Sequence, residues 1–221
     1  MQQSRRSGAI LGHSFVHRLA SAIKAQHGTD MTVREAAPIY FRVDDIYDSI
    51  IVEGISGGKI GDLIYSINKL PQGLDVVMLN VGSNDMCVLA NDPQSAADKL
   101  LSLGNYLQCS YKVKLVIFCS IIPRDRCREV SRGMCMDRAE QFNRVLFEKC
   151  AGHEGRMYLS FKGFWRDTDK ISPLPVSAWS ADGIHPGPAV NSAGFRKYWR
   201  NIRRGLLAAP AELQRMQSDD H

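Results

Sequence analysis

Three polar clusters in the chain combine residue types that can do chemistry. Gly12-His13-Ser14, Gly82-Ser83-Asn84-Asp85 and Asp182-Gly183-Ile184-His185-Pro186 each fall where an apolar run ends or a helical pattern is about to begin. A serine is a weak nucleophile at its own pKa and needs a base within hydrogen-bond reach. His185 could be that base, and Asp182, three residues before it, could orient it. A serine between a strand and a helix start also carries a backbone N–H that faces developing negative charge. Taken singly, each cluster has a plainer use. Ser14 suits a helix N-cap, Asn84 suits an Asx-turn, and Asp182 with His185 suits a loop hydrogen bond. The combination, in this order and at these places, is more specific than its parts.

The elements that must position these clusters can be read from the apolar pattern. Ala9–Leu11, Val76–Val81 and Lys114–Cys119 are aliphatic runs with little alternation, as strands covered on both faces read. Helical periodicity follows between them. Phe15, Val16, Leu19, Ala20 and Ile23 lead to Gly28, a helix-ending glycine. Ile60, Leu63, Ile64, Ile67 and Leu70 repeat at three- and four-residue steps and stop before Pro71. Further helices are expected from about Pro93 to Leu107, from about Met134 to Cys150, and after Pro186 and Pro188, where Phe195, Tyr198, Trp199, Ile202 and Leu206 recur. Alternating strands and helices predict a three-layer α/β/α sandwich with a mostly parallel sheet. One domain over residues 1–207 is expected, with residues 208–221 as a loose polar tail. Loops at the carboxyl ends of parallel strands are where such folds place their sites, and the basic connection Pro123–Arg132 is one such loop.

Composition narrows the class. With 221 residues, 44% hydrophobic and 23% charged, the chain is an ordinary globular sequence, not a disordered or fibrous one. Val76–Val81 and Leu115–Ile122 fall well short of a membrane span, and the basic start leads into only three apolar residues before Gly12. These features predict a cytoplasmic location. The six cysteines, at 87, 109, 119, 127, 135 and 150, never approach C-x-x-C spacing and are expected as reduced thiols, with Cys119 a buried small hydrophobe.

With these residues in view, the sequence resembles the SGNH hydrolases, the GDSL-type esterase/lipase superfamily. The nucleophile block is matched by Gly12-His13-Ser14, and the glycine block by Gly54-Ile55-Ser56-Gly57-Gly58, with Gly57 the better match and Gly58 the alternative. Gly82-Ser83-Asn84-Asp85 matches the Gly-x-Asn-Asp block, and Asp182-Gly183-Ile184-His185 the Asp-x-x-His block. The resemblance spans about Ala9 to Leu207. It implies an SGNH/flavodoxin-like sandwich and a cofactor-free serine esterase acting through an acyl-serine intermediate. Small acyl groups, acetyl above all, are expected because the connections between the blocks are short or polar, with no lid-like apolar insertion. Ser14 would be the nucleophile, His185 the base and Asp182 its partner. The oxyanion would be held by the N–H groups of Ser14 and Gly57 and by the Asn84 amide, each such donor being worth on the order of 10²–10³ in rate. One departure stands out: the Asp usual before the serine is His13 here. A histidine there either weakens the turn's hydrogen bonds or brings positive charge near the oxyanion.

Other chemistries fit less well. His13 and His17 are spaced i, i+4, but the motif's glutamate is replaced by Ser14 and too few ligands follow, so no metal is expected. Gly54–Gly61 lacks the leading glycine and the Ser or Thr of a phosphate loop. A different class of function remains open on the net charge of +5. Arg124, Arg126, Arg128, Arg132 and Arg138 cluster around one loop, and Arg196, Lys197, Arg200, Arg203 and Arg204 crowd the last helix with Tyr198 and Trp199 between them. Each cluster is read first as a solvated face, with Trp199 in the core. The alternative is a catalytically weak module that binds nucleic acid or protein, an accessory domain such as retroelement proteins carry in this superfamily.

Overall fold

A computed structural model of the chain describes residues 5–28, 31–122, 124, 126–127, 129–164, 180, 182, 184–187 and 192–219. Pro123, Arg128, Gly183, Pro188 and the last two tail residues, which enter the sequence reading, lie outside the described residues. Five parallel strands, β1 (Arg6–Gly12), β2 (Tyr47–Gly54), β3 (Val76–Asn80), β4 (Leu115–Cys119) and β5 (Arg156–Leu159), form one sheet in the order β2-β1-β3-β4-β5. The helices are α1 (Ser14–His27), α2 (Val33–Phe41), α3 (Leu63–Ile67), α4 (Ser83–Met86), α5 (Pro93–Tyr111), α6 (Arg132–Cys150) and α7 (Ala193–Asp219). A single 3₁₀ turn, Ile60–Asp62, leads into α3.

The lack of alternation in the central strands has a direct cause: both faces are covered. Ile10, Val76, Met78, Leu115 and Ile117 point to a core shared with α1, α2 and α7, including Phe15, Leu19, Phe41, Tyr198 and Ile202. Their neighbours Ala9, Leu11, Val77, Leu79, Val116 and Phe118 point to a second core with Leu63, Leu100, Leu107, Phe142 and Leu146 of α3, α5 and α6. Period-two side-chain geometry thus splits one aliphatic run between two cores.

The sequence reading misses the two edge strands. Each is half exposed; β2 carries Asp48, Ser49 and Glu53, and β5 is only four residues long. It also misses α2, which begins at a capping box in which Thr32 Oγ1 accepts from the Glu35 N–H while Glu35 accepts from the Thr32 N–H.

The loose tail expected beyond residue 207 is corrected: α7 runs on to Asp219. Its stripe continues through Leu206, Ala209 and Leu213, all buried, with Met216 packed against the same core. The residues after Ala208 show only a sparse apolar stripe, and one buried residue per turn is enough to hold the helix down.

One cysteine expectation is also corrected. Cys127 and Cys135 are joined in a disulfide, because the loop after β4 folds back onto the first turn of α6 and brings them together across eight residues. Cys119 is buried in the core as expected, and Cys109 is exposed. Among the described residues, no helix is long and apolar enough to cross a membrane.

Candidate active site

The site lies where the strands end. Strand β1 ends at Gly12, where a side chain has no room: a Cβ would stand 2.2 Å from the Asn80 carbonyl oxygen of β3. The chain then turns through His13 directly into α1. The N-cap is His13 rather than Ser14: its Nδ1 accepts the Phe15 N–H at 3.4 Å, and Ser14 is the first helical residue. The Ser14 N–H is left without an acceptor among the described residues, at the positive end of α1. Gly54 closes against this helix, since a Cβ there would meet the His17 backbone nitrogen at 2.1 Å.

Ser14, His185 and Asp182, 171 residues apart at the extreme, are brought into one hydrogen-bonded line. His185 Nε2 is 2.8 Å from Ser14 Oγ, and His185 Nδ1 is 2.6 Å from Asp182 Oδ2. Asp182 Oδ1 accepts from Ser180 Oγ (2.6 Å), from the Ile184 N–H (2.8 Å) and from the His185 N–H (3.0 Å). Partial burial alone would raise the Asp182 pKa, but these donors outweigh it and hold the carboxyl well below its ordinary range. For His185, burial comes first and lowers the pKa below 6.5, against the pull of Asp182. The pair at neutral pH is therefore an ionised carboxylate and a neutral imidazole. Asp182 fixes the tautomer: with Nδ1–H donated to Asp182, Nε2 is the atom free to accept the Ser14 proton. The Phe15 ring packs edge-on to His185 at 5.5 Å between centroids.

The loops bearing Gly57 and Asn84 are tied to this line. The Ile55 N–H donates to the Gly12 carbonyl at 2.9 Å, anchoring the loop after β2 to the serine turn. Gly58 spends its N–H on the Ile55 carbonyl, whereas the Gly57 N–H has no acceptor among the described residues. Gly57 sits at φ +71°, which glycine adopts without strain. Asn84 Nδ2 donates one proton to the Gly58 carbonyl at 2.7 Å, leaving its second proton uncommitted, and Asn84 Oδ1 accepts from Arg124 at 2.8 Å. The neighbouring Asp85 accepts the Ile60 N–H at 3.2 Å and holds the same loop from the other side.

His13 is 1% exposed, and burial, then the nearby charges of Arg124 and His185, hold its pKa well below 6.5. It is neutral, so no positive charge is added beside the serine, and its ring nitrogen supplies the turn's hydrogen bond to Phe15. His17, by contrast, is exposed on the next turn.

Two further residues act on the site that the sequence reading passed over. The Arg18 guanidinium, one helical turn after Ser14, is 3.7 Å from Asp182 Oδ2 and donates to the Gly187 carbonyl; its i, i+4 spacing from Ser14 was the available signal. Arg124, read as part of a solvated basic loop, is buried and grips Asn84 instead. Arg138 likewise turns inward and donates to the Met86 and Val88 carbonyls.

No protein-family model matches the sequence, and no curated protein does. Solved structures do match in fold. A GDSL-like lipase from Bacteroides thetaiotaomicron covers 95% of this chain with 92% of its own, at 15% identity and a TM-score of 0.63. Axe2, an acetylxylan esterase from Geobacillus stearothermophilus, covers 92% of this chain with 95% of its own, at 16% identity and a TM-score of 0.56. A catalytic mutant of Axe2 aligns at 17% identity with a TM-score of 0.61. The α/β sandwich is thus the fold of the GDSL-type hydrolases, as the four sequence blocks imply.

Proposed function

We propose that the chain is a serine esterase that hydrolyses small acyl esters through an acyl-serine intermediate. The line from Ser14 Oγ through His185 to an ionised Asp182 carries this reading. In the first step His185 Nε2 takes the Ser14 proton as the oxygen attacks the ester carbonyl, and Asp182 stabilises the imidazolium that forms. Charge gathering on the carbonyl oxygen meets the N–H groups of Ser14 and Gly57 and the second proton of the Asn84 amide. His185 then protonates the leaving alcohol, leaving the acyl group on Ser14. Water, deprotonated by the same imidazole, repeats the sequence and frees the acid. Acetyl is the acyl group favoured, because in the sequence the connections between the four blocks are short or polar; Axe2, which shares the fold, is an acetylxylan esterase.

A fluorophosphonate probe tests the reading directly, since it labels only an activated serine. Stoichiometric labelling of the wild type, absent in folded Ser14→Ala, is the expected result. Equal labelling of the two proteins excludes the mechanism.

A second reading has one observation in its favour. A cleft of about 860 Å³ between α2 and α7 is lined by Arg42, Arg196, Arg200, Arg203 and Arg204 beside Tyr40 and Trp199, and its described lining includes neither Ser14 nor His185. Arg203 is spent on the Phe41 carbonyl and Arg204 on the Ser160 carbonyl; Trp199, expected in the core, is only half-buried, stacking on Phe41 while it also lines the cleft. Arg196 and Arg200 are exposed and uncommitted among the described residues, as phosphate-binding groups must be. A single-stranded nucleic acid held there dissociates as salt is raised, and Arg196→Glu with Arg200→Glu removes the affinity. Absence of binding at low salt removes this reading.

A further inference from the structure

Beside the candidate active site, three sulfurs converge from three separate pieces of chain. Cys87 follows α4, Cys127 lies in the loop after β4, and Cys135 stands in the first turn of α6; their Sγ atoms all lie within 4.8 Å of one another. Cys87 Sγ is 2.8 Å from Cys127 Sγ and 3.8 Å from Cys135 Sγ. We propose that, once the Cys127–Cys135 disulfide is reduced, Cys87, Cys127 and Cys135 form a three-thiolate site for a soft divalent cation of the zinc class.

Three observations converge on a cation. Tetrahedral Zn–S bonds of about 2.3 Å put neighbouring sulfurs about 3.8 Å apart, which is the Cys87–Cys135 separation already present. Cys87 and Cys135 are buried with Val130, while Cys127 is half-buried, so one side of the cluster stays open for an exchangeable fourth ligand such as water. The strongest observation is Arg124. It is 5% exposed, and among the described residues no carboxylate forms a salt bridge with it, although Asp182 and Asp85 attract it from further away. It donates to the neutral Asn84 amide oxygen and to Cys87 Sγ at 3.6 Å, and its Nε is buried without a partner. A buried cation calls for a compensating anion. One divalent cation with three thiolates carries a net charge of −1, a sign that adds to the attraction Asp182 and Asp85 already exert on Arg124.

The chemistry balances with a thiol reductant such as glutathione. Two reductant thiols give two electrons and two protons to the Cys127–Cys135 bond and leave as their own disulfide. The cation then binds as three thiols release three protons. Cation and disulfide are alternative occupants of Cys127 and Cys135. Arg124 also holds Asn84, so the cluster abuts a group proposed above to stabilise the oxyanion.

The test uses the full chain, treated with a non-thiol reductant, loaded with Zn²⁺ and freed of excess metal. One zinc per chain by elemental analysis is expected. Co²⁺ in its place is expected to give thiolate charge-transfer absorption. Cys87→Ser is expected to lose the metal, Cys109→Ser to keep it, and Arg124→Met to weaken affinity by about 10–100-fold. Should Cys87→Ser fail to fold, alkylation of the wild type replaces it, with Zn²⁺ expected to protect all three cysteines. The proposal is overturned if the reduced wild type retains no zinc, if Cys87→Ser retains as much, or if Zn²⁺ protects none of the three. Ester hydrolysis is not among these readouts, so failure of the esterase reading leaves the result interpretable.

Discussion

His185 Nε2 lies 2.8 Å from Ser14 Oγ although 171 residues separate them in the chain. No local preference of either residue accounts for this contact; it is made by the fold. Ser14 is fixed by the close approach of β1 to β3, and His185 by the turn that Asp182 organises by accepting three hydrogen bonds. The contact predicts that Ser14→Ala lowers kcat on p-nitrophenyl acetate by about 10⁴ or more. The thermal midpoint should move little, because the lost hydroxyl bonds only to the imidazole. Initial rates with a calorimetric scan of both proteins check this.

The same pair sets the pH dependence. His185 must be neutral to accept the serine proton, and burial keeps its pKa below 6.5. Activity therefore rises with pH along a one-proton limb whose midpoint lies below 6.5, and it is level from about pH 7 to 8. Asp182 raises the His185 pKa, so Asp182→Asn moves that limb to still lower pH. It also cuts kcat by about 10⁴ through loss of the required tautomer. A kcat/KM profile of the two proteins decides it; a limb above pH 7 in the wild type contradicts the arrangement.

Asn84 offers a sharper test of the oxyanion geometry. Its amide is held by Gly58 on one side and Arg124 on the other. Asn84→Ala is expected to lower kcat by about 10²–10³ while KM changes by only a few fold, since the donor is needed most in the transition state. A loss confined to KM would assign Asn84 to substrate binding.

How much of this was legible beforehand follows from burial. The central residues of β1, β3 and β4 are covered on both faces, so the runs Ala9–Leu11, Val76–Leu79 and Leu115–Cys119 are apolar without alternation and stand out. The edges β2 and β5 keep polar or charged residues on an exposed face and look like loops. The roles proposed for Ser14, Asn84, Asp182 and His185 came from the resemblance of the four blocks; within the candidate site, Gly12 was legible because backbone geometry demands glycine where β1 touches β3. Arg124 was not, because an arginine in a basic loop reads as solvated, and only the folding of that loop over α4 and α6 buries it. The Cys127–Cys135 pairing was hidden for the same reason.

Asp85 links the site loop to stability. Burial pushes its carboxyl up to about 6, against the Ile60 N–H and nearby Lys59, which lower it. Between about pH 4 and 6 the folded chain keeps a proton that the unfolded chain has released, so stability falls as pH rises through that window. Asp85→Asn keeps an acceptor for the Ile60 N–H and carries no charge. Its expected effect is a gain of about 1–3 kcal/mol at pH 7.5 and a flatter dependence between pH 4 and 6. Urea unfolding at several pH values measures both.

The end of α7 gives the last prediction. Leu213 is 6% exposed and lies in the same core as Phe41 and Tyr198, one turn beyond Ala209. A tail that merely rested on the surface would lose nothing on truncating this side chain. Removing a buried leucine to alanine leaves a cavity whose walls relax only in part, at a cost of about 2–5 kcal/mol, with the lower end fitting a site near a helix terminus. Leu213→Ala should therefore unfold at a clearly lower urea concentration with an unchanged slope. Gln214→Ala, at an exposed position of the same helix, should unfold within about 0.5 kcal/mol of wild type. Equal midpoints for the two variants would mean that the helix beyond Leu206 contributes nothing to the fold.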